Sequence, residues 1–74
     1  MQITREQILR VYKEIQIKSR LLEVVKNKKL RDQYSAERLA MWEVLQIMYG
    51  HDSLRQTIDA VFDLAKIMEG EEVA

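Results

Sequence analysis

The side chains that could carry chemistry are few and scattered along the 74 residues. His51 is the only histidine and the chain has no cysteine, so a zinc site built from thiolates is excluded. Asp59 and Asp63 stand one helical turn apart, a spacing that some acid–base and metal sites use. They share an arc with Lys66, opposite the apolar positions of the same segment, where water would surround both carboxylates. We therefore predict no metal site.

Nucleophilic and phosphate-binding patterns are equally weak. Thr4 and Ser53 are each followed three residues later by glutamine, which is typical of helix caps and not of catalytic hydroxyls. Two glycines cannot build a G-x-x-x-x-G-K-[ST] loop or a G-x-G-x-x-G turn. We expect a protein that is not an enzyme and that binds no cofactor.

Positive charge is concentrated in the first half of the chain. Residues 1–34 hold nine Lys/Arg against four Asp/Glu, whereas residues 35–74 hold three against eight. The densest group could contact phosphates, or an acidic partner, through charge alone. This group consists of Lys26, Lys28, Lys29 and Arg31. The alternative function is therefore a small nucleic-acid-binding regulator, although segment 54–69 mixes its few basic side chains with aspartates and would make a poor recognition helix.

The elements that position these residues are helices. Apolar residues recur at steps of three and four, which predicts an all-α chain with helices at about 5–29, 36–49 and 54–69. Thr4 should cap the first helix, Asp32 or Ser35 the second, and Gly50 should end the second in the left-handed conformation. Gly70 should end the third helix and leave residues 70–74 as a frayed acidic tail of a single domain, 1–74. An unbroken helix over 5–49 is the main alternative.

These lengths predict a dimer. At 1.5 Å per residue the first helix spans roughly 37 Å, and the two that fold back along it roughly 21 and 24 Å. Its front half would then lack a partner inside the chain, which favours a symmetric helical-bundle homodimer. The residues expected in that interface are Ile8, Leu9, Val11, Tyr12 and Ile15. With short connections the second helix runs antiparallel to the first and the third returns in the original direction. The first and third helices then end at the same end of the bundle, which brings the basic residues 26–31 next to Glu69, Glu71 and Glu72.

The second helix is apolar over more than half of its circumference, so it needs neighbours on two sides. Trp42 and Met41 either fill the bundle between the other helices or line a groove for a helix of another protein. We therefore predict a small non-enzymatic protein–protein interaction module, an adaptor or modulator that acts as a homodimer.

The expected location is the cytoplasm. Charge interrupts every apolar stretch well before the roughly 18 residues that a membrane span needs, and residues 1–20 lack a signal-peptide pattern. We predict no membrane contact.

Overall fold

The computed structural model describes residues 3–73, with the side chains of residues 3–70. It contains three helices, α1 (Arg5–Val24), α2 (Lys28–Tyr49) and α3 (Leu54–Val73), which confirms the predicted all-α class. Within the described residues no strand is present. No helix in this part of the chain combines the length and the apolar character that crossing a membrane would require.

Local side-chain chemistry explains where α1 and α2 begin. Thr4 accepts a hydrogen bond from the Gln7 amide (3.1 Å), and the Gln7 side chain accepts one from the Thr4 amide (3.0 Å), as predicted. Asn27 caps α2 because its side-chain oxygen accepts from the amides of Lys29 and Leu30. The predicted boundaries at 29 and 36 are therefore wrong, and extended backbone at Val25 and Asn27 rules out one continuous helix over 5–49.

A four-residue turn sets the direction of α3. Gly50 adopts φ 74° and ends α2, as predicted. His51 stacks on Tyr49 (ring centroids 4.8 Å apart), and its Nδ1 lies 3.0 Å from Oγ1 of the buried Thr57. Ser53 accepts from the Gln56 amide (3.3 Å) at the start of α3. His51 thus fixes the turn.

The far end of α3 differs from the prediction. Gly70 does not end the helix, because the helical backbone continues to Val73. No Cβ placed on Gly70 would meet a neighbouring atom, so this glycine is an ordinary exposed helical position. The side chains of the predicted acidic tail from residue 71 onward lie outside the described residues.

The three helices meet at an aromatic contact. Tyr12 of α1, Trp42 of α2 and Phe62 of α3 lie with ring centroids 5.8–6.3 Å apart. Such tilted ring pairs stabilise a fold beyond the area that they bury, by about 0.5–1.5 kcal/mol each. A three-residue connection joins α1 to α2 as antiparallel neighbours. Phe62 contacts rings of both helices, so one face of α3 packs on the pair.

Helix α3 crosses the α1–α2 pair and does not lie parallel to α1. Met68 and Glu69, near its end, line a shallow cleft with Leu9 and Lys13 from the N-terminal half of α1. In an up-down-up bundle they would lie beside the C-terminal end of α1 instead. The predicted proximity of Glu69 to the basic residues 26–31 is therefore wrong, and the same expectation for Glu71 and Glu72 falls outside the described side chains.

The core also overturns the argument for the predicted dimer interface. Ile8 and Ile15 are only 5 % and 3 % exposed, and with Leu45 and Val61 they form the buried centre of the described residues. Val11 and Tyr12 pack against that centre, and Leu9 is half-buried. The three helices have nearly equal lengths of 20, 22 and 20 residues, so the front of α1 is covered by its own chain.

Candidate interaction surfaces

The first candidate site is the side of α2 that points away from the core, which we call the outer face. Its large apolar side chains are well exposed: Leu39 and Val44 at 49 %, Ile47 at 78 % and Met48 at 42 %. Alanines occupy the positions between them, and Glu43 is the charged member of this face. The outer face consists of Ala36, Leu39, Ala40, Glu43, Val44, Ile47 and Met48.

Helical geometry explains why this face remains uncovered. At 100° per residue, Leu45 and Met41 point toward α1 and α3, and Ile47 lies on the opposite side of the helix. Two neighbouring helices cover one half of α2 only. The sequence correctly indicates that α2 has more apolar surface than the bundle can hide. Trp42 and Met41 do not belong to the outer face, because both pack against the core.

The second candidate site is a concave surface beside the aromatic contact, which we call the aromatic cleft. It has a volume of about 390 Å³ and draws side chains from all three helices. Trp42 contributes to it and is thus both a core and a surface residue, whereas Met41 does not line it. The lining residues are Tyr12, Ile15, Gln16, Ser19, Arg20, Arg38, Trp42, Ile58 and Phe62.

Two arginines lie at one side of the aromatic cleft. Arg38 donates a hydrogen bond from Nη1 to Ser19 Oγ (3.3 Å), and the Ser19 hydroxyl donates to the Ile15 carbonyl (3.0 Å). Arg20, which directly follows Ser19 on α1, is exposed. None of the nine described side chains that line the cleft is acidic. The cleft therefore combines an apolar wall with net positive charge.

A partly exposed ion pair beside the cleft links α1 to α2. Lys18 Nζ lies 2.5 Å from Glu37 Oε2, and the same ammonium sits 4.7 Å from the centre of the Tyr34 ring. Hydrogen bonding to Lys18 and then to Gln33 holds the pKa of Glu37 below its usual value, and Glu37 raises the pKa of Lys18. Glu37 pairs with Lys18 and does not line the cleft.

The third candidate site is the connection between α1 and α2, which we call the basic turn. Lys26, Lys28, Lys29 and Arg31 are all exposed there. Arg31 donates from Nη2 to the Val25 carbonyl (3.0 Å), which directs its side chain back over the turn. The first turn of α2, fully described, contains no acidic residue, so these cations add to the positive end of the helix dipole.

Arg20, Arg38 and Phe62 were not predicted as one site. The sequence does contain a relevant pattern. Tyr12, Gln16 and Arg20 recur at four-residue steps on α1, as Arg38 and Trp42 do on α2, so each set lies on one face of its helix. Pairing the two rows requires the antiparallel register, which the sequence does not supply.

The remaining residues with chemical potential are dispersed. Asp59 and Asp63 are both exposed on α3, and His51 belongs to the α2–α3 turn. Among the described residues no three His, Asp or Glu side chains converge as metal ligands would. No protein-family model, curated protein or solved structure matches this chain.

Proposed function

We propose that this chain is a non-enzymatic protein-interaction module that forms a homodimer and binds a further protein as an adaptor or modulator. The observation that carries the proposal is the outer face of α2, where Leu39, Val44 and Ile47 expose apolar side chains along one side of a helix. Contiguous apolar surface of this kind typically marks an interface in soluble proteins.

The total surface supports this proposal. The chain exposes 5957 Å². A folded monomer of 8.8 kDa is expected to expose about 4,800 Å² by area scaling. The excess, about a quarter, is of the order of the roughly 800 Å² that each partner buries in a standard interface. The radius of gyration, 13.6 Å, also exceeds the value of about 11 Å expected for a compact domain of this length. A second copy packed on the outer face would bury this excess surface.

The outer face suits pairing with itself. A twofold dimer presents the same patch from both subunits, so the patch must be complementary to its own copy. Ala36 and Ala40 lie toward the N-terminal end of this face, and Val44 and Ile47 lie toward its C-terminal end. In an antiparallel pair the larger side chains of one copy therefore lie over the alanines of the other.

Single-cysteine cross-linking tests this dimer directly, because the chain has no cysteine of its own. Ala40→Cys and Ile47→Cys lie on the outer face, and Asp59→Cys is a matched exposed control on α3. With a short bis-maleimide at low micromolar protein, we expect a covalent dimer for at least one outer-face variant and little for the control. Equal, slow cross-linking of all three variants would remove the proposal.

A nucleic-acid-binding regulator is the second candidate, favoured by the basic turn. Lys26, Lys28 and Lys29 are exposed beside the positive end of α2, an arrangement that attracts phosphates. Titration of duplex DNA at two salt concentrations tests it. Affinity that falls steeply with salt and weakens in the Lys28→Gln/Lys29→Gln variant would support it, with Lys13→Gln/Lys66→Gln as the charge-matched control. Absence of binding at low salt would eliminate it.

A further inference from the structure

The aromatic cleft exposes apolar surface that the fold itself does not use. Phe62 is 45 % exposed although both Tyr12 and Trp42 contact its ring. The volume of about 390 Å³ falls within the usual range of about 300–1,000 Å³ for ligand sites. One bulky apolar side chain can therefore enter the cleft and cover the Phe62 ring.

The positive charge at the rim of the cleft favours a ligand that carries negative charge beside that side chain. Arg20 and Arg38 both line the cleft, and the Ser19 hydroxyl orients the guanidinium of Arg38. Guanidinium groups prefer carboxylates and phosphates, which they bind with charge-assisted hydrogen bonds. Because none of the described side chains that line the cleft is acidic, a ligand can supply the negative charge that would pair with the two arginines.

We propose that the aromatic cleft binds an acidic segment of a partner protein, with one bulky apolar side chain against Phe62 and Trp42 and neighbouring carboxylates on Arg20 and Arg38. This proposal rests on the proposed function, since it names the chemistry of the partner that the module binds.

The shape of the cleft favours a peptide over a nucleic acid. The three rings meet at interplanar angles of 54°, 59° and 74°, so they form a notch. Successive bases of a single strand stack on open ring faces, whereas these three rings pack against one another. A single inserted side chain with flanking carboxylates matches both the notch and its two arginines.

Trp42 provides the reporter, because it is the only tryptophan and it lines the cleft. The probe is a synthetic peptide of glutamates around one phenylalanine, without tryptophan, titrated into the full chain while Trp42 emission is recorded. We expect saturable binding that is lost when the glutamates are replaced by glutamines and weakened when the phenylalanine is replaced by alanine.

Substitution of the arginines identifies the site. Arg20→Gln should weaken the peptide about tenfold, the effect of losing one charged hydrogen bond of roughly 1.4 kcal/mol. Arg38→Gln should do the same, but it also removes the contact to Ser19, so Arg20→Gln is the decisive variant. Arg55→Gln, which replaces an exposed arginine outside the cleft, is the matched control and should bind as the wild type does.

Three results would overturn the proposal. These are equal binding of the glutamate and glutamine peptides, no change in Trp42 emission at millimolar peptide, or tighter binding of oligothymidylate through the same Arg20. The failure of this site is distinguishable from failure of the dimer, because Ile47→Lys should abolish dimerisation and leave peptide binding intact.

Discussion

At the scale of single residues, few side chains between residues 3 and 70 are fully buried. Leu45, Val61 and Thr57 are 0 % exposed, and Ile8 and Ile15 are nearly so. A core this small leaves little reserve of stability, so each of these side chains should matter more than in a larger domain.

Two valines provide a matched test of the core. Val61→Ala should lower the free energy of unfolding by about 2 kcal/mol, because it removes buried methyl groups and leaves a cavity. Val24→Ala, at a position 72 % exposed, should change it by less than about 0.5 kcal/mol. Urea denaturation of both variants measures the difference, and equal losses would show that Val61 is not central to the core.

Two glycines should respond to alanine with opposite signs. Gly50 has φ 74°, a conformation that costs an L-residue roughly 1 kcal/mol, so Gly50→Ala should destabilise the fold. Gly70 is helical with open space around it, so Gly70→Ala should stabilise the fold by about 0.5–1 kcal/mol. Thermal unfolding reports both changes. Destabilisation by Gly70→Ala would mean that α3 ends at Gly70 after all.

At the scale of elements, α2 contributes to both the aromatic cleft and the outer face. Its inner side contributes Leu45 to the core and Trp42 to the aromatic cleft, and its opposite side forms the outer face. One helix can serve both purposes because its apolar residues cover more than half of its circumference.

The tie between α1 and α2 predicts a pH dependence. Because hydrogen bonding lowers the pKa of Glu37, its contribution to stability is present above the usual value of 4.5 and is lost as the pH falls through the lowered folded-state pKa. The raised pKa of Lys18 gives a contribution that is present below 10.5 and lost as the pH rises through the folded-state value. The pair therefore stabilises the fold across the neutral range.

Glu37→Gln should remove the acid part of this dependence. Between neutral pH and pH values below the usual pKa of Glu37, the urea midpoint of the wild type should fall more than that of Glu37→Gln. Glu23→Gln, at an exposed position of α1, should behave as the wild type does. An identical fall in Glu37→Gln and the wild type would show that the ion pair does not form in solution.

How well each element could be predicted depends on how local its determinants are. The caps at Thr4 and Ser53 and the left-handed Gly50 follow from a few adjacent residues, and all three are confirmed. The start of α2 was missed because Asn27 competes with Asp32 and Ser35 as a cap. Asn27 also places lysines in a first helical turn, where the helix dipole disfavours cations.

Non-local features could not be predicted in this way. The direction of α3 depends on how His51 meets Tyr49 and Thr57, and on where Phe62 finds the rings of α1 and α2. The aromatic cleft is a product of that crossing. The excess apolar arc of α2 was visible in the sequence, but which half of it remains exposed is decided by the positions of its neighbours.

At the scale of the whole molecule, the chain exposes more surface than a compact domain of its size. We expect apparent stability to rise with protein concentration, because a dimer that buries the outer face stabilises the folded state by mass action. Thermal unfolding at a low and a high protein concentration checks this expectation. A midpoint independent of concentration would indicate that folding and association are not coupled.

Sedimentation equilibrium tests the central claim most directly. At high micromolar concentration the wild type should approach twice the chain mass of 8.8 kDa, and Ile47→Lys should sediment as a single chain. Ile67→Lys, at an exposed position on α3, is the matched control and should remain dimeric. A wild type that sediments at 8.8 kDa at every concentration, or an Ile67→Lys variant that dissociates as readily as Ile47→Lys, would contradict the assignment of the outer face as the dimer interface.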